Sequence, residues 1–141
     1  VQTMMGQETY LFDGTIRENL TIACNSADSA ASAIPDSVLR EALAKASALE
    51  LVDALPNGLD TQVGELGGRL SEGEKQRIGL ARMFLRDADL VLFDEPTSRL
   101  DAYNESVILG SVNNLAEQGS AVVLVSHRDS TMRVADRILR I

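Results

Sequence analysis

An α/β fold built on a parallel sheet is the class this sequence predicts, and three stretches carry that prediction. Leu90-Val91-Leu92-Phe93 is a short apolar run of the kind that forms a buried strand, and it ends in the adjacent carboxylates Asp94 and Glu95. Ala121-Val122-Val123-Leu124-Val125 is a second such run and is also expected to be a buried strand. Between them, a helix is expected from just after Asp101 to about Gln118-Gly119. Strand, helix and strand in that order imply a right-handed parallel crossover.

The other elements follow from local pattern. Val1 to Met5 reads as a short strand. Thr15 opens a helical turn through Leu20, and Glu18 three residues on completes a capping box. Asn25 to Ala33 is small, polar and simple, an exposed spacer. After Pro35 and Asp36, the apolar residues Val38, Leu39, Ala42, Leu43 and Ala46 keep helical spacing. A further helix from about Ala48 to Leu55 is expected to be capped by Ser47 with Glu50. Pro56-Asn57-Gly58 stops it and leads into a loop over Leu59 to Gly68. Leu70 to Arg77 starts a helix carrying Ile78, Ala81, Arg82 and Leu85, which ends near Asp87-Ala88-Asp89, and Arg137 to Ile141 reads as a last strand.

Composition narrows the function. The chain has 141 residues, 45% of them hydrophobic, enough for one domain with a core. Its net charge of -8, from 13 basic and 21 acidic residues, disfavours nucleic acid as a partner, because phosphate-backbone binding rests on Lys and Arg. Cys24 is the single cysteine and cannot form an internal disulfide, which fits a reducing compartment. There is no apolar run of membrane-spanning length and no signal-peptide pattern at the start of the sequence.

The Asp94-Glu95 pair carries chemistry on its own terms. An Asp at the carboxyl end of a buried strand can hold Mg²⁺ through water, and the next Glu can align or deprotonate an attacking water, as nucleotide hydrolysis requires. Alone, the pattern fits equally well a strand followed by a solvated acidic turn.

Its neighbours decide between the two. Gly6 to Phe12, Leu70-Ser71-Glu72-Gly73-Glu74-Lys75-Gln76-Arg77, Leu90 to Pro96, Ser98-Arg99-Leu100-Asp101 and Val125-Ser126-His127-Arg128 occur in the order of the glutamine loop, signature, carboxylate strand, interface loop and histidine motifs of ATP-binding-cassette ATPases. The chain resembles that family over nearly its whole length. The resemblance implies a P-loop NTPase (RecA-like) parallel sheet with an inserted α-helical signature subdomain. Residues 1–14 would form the glutamine-loop strand and loop, 15–87 the helical subdomain and 88–141 the remainder of the core.

No G-x-x-x-x-G-K-[ST] loop occurs, since Lys45 and Lys75 follow Ala44 and Glu74. In the family that loop precedes the glutamine segment, so the chain is expected to be the C-terminal part of a longer polypeptide with an incomplete sheet. The strand leading to that loop would lie beside Arg137 to Ile141, which is expected to be left with open backbone groups. The chain by itself is expected to be marginally stable or aggregation-prone, and inactive.

Residue by residue, the resemblance implies that Asp94 binds Mg²⁺, that Glu95 is general base or positions the water, and that His127 contacts the γ-phosphate and steadies Glu95. Gln7 would contact the metal or water and report nucleotide state. Ser71 and Gly73 would close over ATP held by a second ABC ATPase domain, and Asp101 would lie in the loop crossing that interface. The chain departs from the common L-S-G-G-Q pattern at Glu72 and Glu74, and Arg99 stands where the family usually has Ala. Glu74 can complete a capping box with Ser71. Glu72 is costlier, since a like charge at 4 Å from phosphate costs about 1 kcal/mol in water and about 4 at an effective dielectric of 20. The helix dipole returns only about 0.3 to 1 kcal/mol. Its side chain is therefore expected to point away or pair with a basic group.

Leu11 to Asn19 and Thr61 to Glu65 resemble exporter-type cassettes, with Glu65 in a loop meeting the transmembrane domain. The implied protein hydrolyses ATP with Mg²⁺ at the cytoplasmic face of a membrane. Its partners would be a second such domain, identical or not, and a permease domain in the same chain or a separate one. A non-hydrolytic module that lends Ser71 and Gly73 to another protein's ATP is an alternative. A soluble chromosome-maintenance or repair ATPase is a further one, although no sustained heptad pattern lies between Gln7 and Leu70.

Overall fold

The computed structural model describes residues 2–5, 10–22, 34–66 and 70–141. Gln7, Cys24 and the spacer expected over Asn25 to Ala33 lie outside the described residues. Three parallel strands form one sheet in the order β1 (Gln2–Met5), β2 (Leu90–Asp94), β3 (Ala121–Val125). The helices are α1 (Ile16–Thr21), α2 (Asp36–Lys45), α3 (Leu49–Asp53), α4 (Val63–Leu66), α5 (Glu72–Arg86), α6 (Ala102–Glu117) and α7 (Asp129–Met132).

Burial alternates along β2 and shows where the core sits. Val91 and Phe93 are fully buried, and their register partners Val122 and Leu124 pack against the same cluster. That cluster is continuous with Ile16 and Leu20 of α1, Leu39 and Leu43 of α2, Ile78 and Leu80 of α5, and Ile108 and Leu115 of α6. The opposite face is bare, with Met4, Val123 and Val125 between 46 and 59% exposed. β3 is therefore not the buried strand the sequence predicts. Parallel strands usually have both faces covered, and among the described residues nothing covers this one.

Two caps form as the sequence predicts. Thr15 Oγ1 accepts from the Glu18 N–H at 3.0 Å while Glu18 Oε2 accepts from the Thr15 N–H at 2.9 Å. Gly14 precedes this box at φ +151°, and a Cβ there would lie 2.4 Å from Glu18 Oε2, so glycine leaves room for the capping carboxylate. At α5, Ser71 Oγ accepts from the Glu74 N–H at 3.2 Å, and the Ser71 N–H reaches Glu74 Oε1 at 3.5 Å.

Four local expectations are corrected. Ser47 does not cap α3. It sits at φ 57° as the left-handed residue that ends α2, where the Ser47 N–H donates to Ala44 O and the Ala48 N–H to Leu43 O. Val38 is 44% exposed because it lies off the face that buries Leu39, Ala42 and Leu43. The loop expected after Gly58 contains a 3-10 turn (Gly58–Asp60) and α4, fixed to the start of α1 by Ile16 N–H to Thr61 O and Val63 N–H to Gly14 O. Arg137 to Ile141 is irregular and exposed, with no neighbouring strand among the described residues to satisfy its backbone.

Candidate nucleotide site

Two groups of sequence-predicted residues assemble, at different places. The first is at the end of β2. Asp94 is its last residue, and Glu95 continues the ladder by donating its N–H to Val125 O at 2.8 Å. Glu95 then turns the chain with φ 48°, a left-handed conformation that costs a side-chain-bearing residue on the order of 1 kcal/mol. Its side chain is 15% exposed, and Oε1 lies 2.7 Å from His127 Nδ1, just beyond β3. An ionised carboxylate can only accept, so Nδ1 is the donor in this contact, on a side chain that is 81% exposed. Glu95 Oε2 is buried and has no hydrogen-bond partner among the described residues.

The second group is at the start of α5. Gly73 is buried against α6, where a Cβ would meet Asn104 Oδ1. Asn104 Oδ1 accepts from Arg77 Nη2 at 2.5 Å, and Asn104 donates through its backbone N–H and Nδ2 to Asp101 Oδ1 at 2.8 and 3.1 Å. Asp101 is thereby the cap of α6. Glu72 pairs with Lys75 at 3.5 Å, as the charge argument requires. A cleft of about 1030 Å³ is lined by Ser71, Glu74, Arg77, Tyr103 and Asn104 but not by Asp94, Glu95 or His127. The two groups thus open onto different parts of the surface.

Several residues escape the sequence reading. Arg128 Nη1 donates to Thr97 O, and it stands 2.6 Å from Glu105 Oε2 as an ion pair without an aligned N–H. Arg82 donates to Asn19 O, Asn19 Oδ1 and Tyr10 O, each at 2.9 Å, and its guanidinium lies 5.7 Å from the Phe12 ring centroid. Burial pushes its pKa below the ordinary guanidinium value. Both arginines join residues far apart in sequence, and no local pattern signals such contacts.

Comparison with known proteins identifies the family. The family profile described as ABC transporter matches residues 2–98. The chain belongs to the ABC transporter family. A probable ABC transporter ATP-binding/permease protein of Haemophilus influenzae is 45% identical over 135 residues, covering 96% of this chain and 23% of that protein. An ATP-dependent lipid A-core flippase of Shewanella oneidensis is 41% identical over 140 residues, covering 96% of this chain and 22% of the flippase. P-glycoprotein 14 of Caenorhabditis elegans is 38% identical over 138 residues, covering 98% of this chain and 10% of that protein. The chain thus spans less than a quarter of these ABC relatives. No helix among the described residues is long and apolar enough to cross a membrane.

Proposed function

We propose that this chain is part of the ATP-hydrolysing domain of an exporter, in which closure of two such domains over ATP drives a transmembrane permease at the cytoplasmic face of a membrane. The fold is read as an incomplete P-loop NTPase sheet with a helical signature subdomain. The observation that carries the proposal is the 2.7 Å contact between Glu95 Oε1 and His127 Nδ1, directly after Asp94 at the end of a parallel strand. The family match and the printed names of the relatives, among them an ATP-binding/permease protein and an ATP-dependent flippase, support it.

The donor set fits a nucleotide-borne Mg²⁺. Such an ion keeps its waters and phosphate ligands and asks the protein for one or two carboxylates, so the absence of a cluster of three or more ligands among the described residues does not conflict with it. Asp94 would hold the ion, and Gln7 would reach the ion or the water. When bound, Mg²⁺ offsets charge on the phosphates. Glu95 would orient the water or accept its proton, and His127, donating its Nδ1–H to Oε1, would meet the γ-phosphate through a protonated Nε2. Ser71 Oγ accepts from the Glu74 N–H and keeps its own O–H to donate toward ATP of a second domain, beside the outward N–H groups of the first turn of α5, and Gly73 would serve that contact through its backbone while its bare Cα packs on Asn104 of α6. Asp101 would lie at the junction with that domain.

The deciding experiment is Glu95→Gln in the full polypeptide that carries this chain. Turnover should fall by about 10² to 10⁴ while ATP binding and ATP-driven pairing of domains persist. Unchanged hydrolysis would sink the assignment.

A further inference from the structure

His127 reaches Glu95 from an exposed position, so packing does not hold its ring. The residue after it turns inward. Arg128 donates to the carbonyl of Thr97, in the loop after Glu95, and its charge meets Glu105 on α6 at 2.6 Å. Glu105 is 6% exposed, and a buried carboxylate requires a cation beside it. The buried Thr97 and Thr131 hydroxyls, 3.5 Å apart, close the cluster from α7. The Arg128 N–H also donates to Ser126 Oγ at 3.1 Å, bracing the turn that carries the histidine.

We infer that Arg128 and Glu105 are positioning residues that hold His127 against Glu95, an inference that builds on the hydrolytic reading of that pair. One guanidinium refers both partners to the same buried charge: it follows His127 in the chain and binds the loop that follows Glu95. The frame extends to the other group of residues, because the Glu105 N–H donates to Asp101 O at 2.9 Å and Asp101 caps the same helix. The first turn of α6 is therefore shared by the Gly73 side and the His127 side. A misplaced His127 leaves nucleotide contacts elsewhere intact, so turnover should suffer rather than affinity.

The test compares Arg128→Met, Arg128→Lys and Glu105→Gln with wild type in the full polypeptide. It reads ATP turnover, KM and the ¹⁵N shift of His127 Nδ1, which is identified by its loss in His127→Gln. Arg128→Met and Glu105→Gln should each lower kcat about tenfold to hundredfold with KM held within about twofold. Both should move the His127 resonance toward its position in Glu95→Gln, and Arg128→Lys should recover part of both effects. A raised KM with unchanged kcat, or a His127 resonance identical to wild type, overturns the inference. If Arg128→Met does not fold, Arg128→Lys and Glu105→Gln decide by the same readouts. If wild type does not hydrolyse ATP but the His127 resonance still moves in these variants, the hydrolytic reading fails and the positioning role stands.

Discussion

Gly73 and Asn104 touch so closely that a methyl group on the glycine would lie 2.6 Å from Asn104 Oδ1 and 2.7 Å from its Cγ. Asn104 cannot swing away freely, since Arg77 and Asp101 both hold its carboxamide. Gly73→Ala should therefore cost about 1–3 kcal/mol by overpacking. Adding Asn104→Gly should return part of the loss, as read from urea unfolding midpoints. Equal midpoints for wild type and Gly73→Ala would show that α5 and α6 can separate without penalty.

The cap of α5 makes a separate prediction. Ser71→Ala removes the oxygen that accepts the Glu74 N–H and should destabilise by about 1 kcal/mol. Glu74→Gln keeps an oxygen for the Ser71 N–H and should change stability by less than about 0.5 kcal/mol. Thermal unfolding of both variants side by side checks the contrast, and equal losses would refute it.

Arg82 holds the Tyr10 to Asn19 segment against α5 through three hydrogen bonds. Lys cannot reproduce that fork. Arg82→Lys should cost roughly 2–3 kcal/mol, because acceptors of Asn19 and Tyr10 lose their partners. Amide hydrogen exchange should quicken over α1 before it does over α6. Uniform exchange across both helices would mean that the guanidinium does not anchor this segment.

The Arg17–Asp36 pair sets a pH dependence. The guanidinium of Arg17 lowers the pKa of Asp36 below its ordinary 3.8, by hydrogen bonding first and by charge second. A lowered carboxylate pKa stabilises the fold above the unfolded value and loses that contribution as pH falls through the folded value. Asp36→Asn should thus lower the unfolding midpoint at pH 7, and the gap from wild type should close as pH falls below about 3.8. A gap that stays constant on acidification would show that the pair is not linked to folding. Asp36 is solvent-exposed, so added salt should also narrow the gap at neutral pH.

How much could be read beforehand depended on the span of each interaction. The Thr15–Glu18 and Ser71–Glu74 boxes need residues three apart, and both were legible. Ser47 had the same signature as Ser71, but the end of α2 took it for a left-handed turn. β3 is less buried than its apolar run predicts because apolar sequence reports what a strand can bury, whereas its neighbours decide what is covered. Glu95 and His127 were singled out through motif order, and the structure brings them together. Arg128 with Glu105 and Arg82 with Asn19 were invisible, since each pairing depends on how separate elements pack.

The register of β1 against β2, with Gln2 opposite Leu90, sets an order of events as the chain folds. β2, α6 and β3 form a contiguous unit, with one helix spanning the crossover between paired strands. β1 must instead close a loop that contains every element from α1 to α5, and such long closures cost more entropy and slow the search. During synthesis β1 is made long before β2, its partner in this sheet, so their pairing is the late step that closes the sheet around the helices that lie between them in sequence.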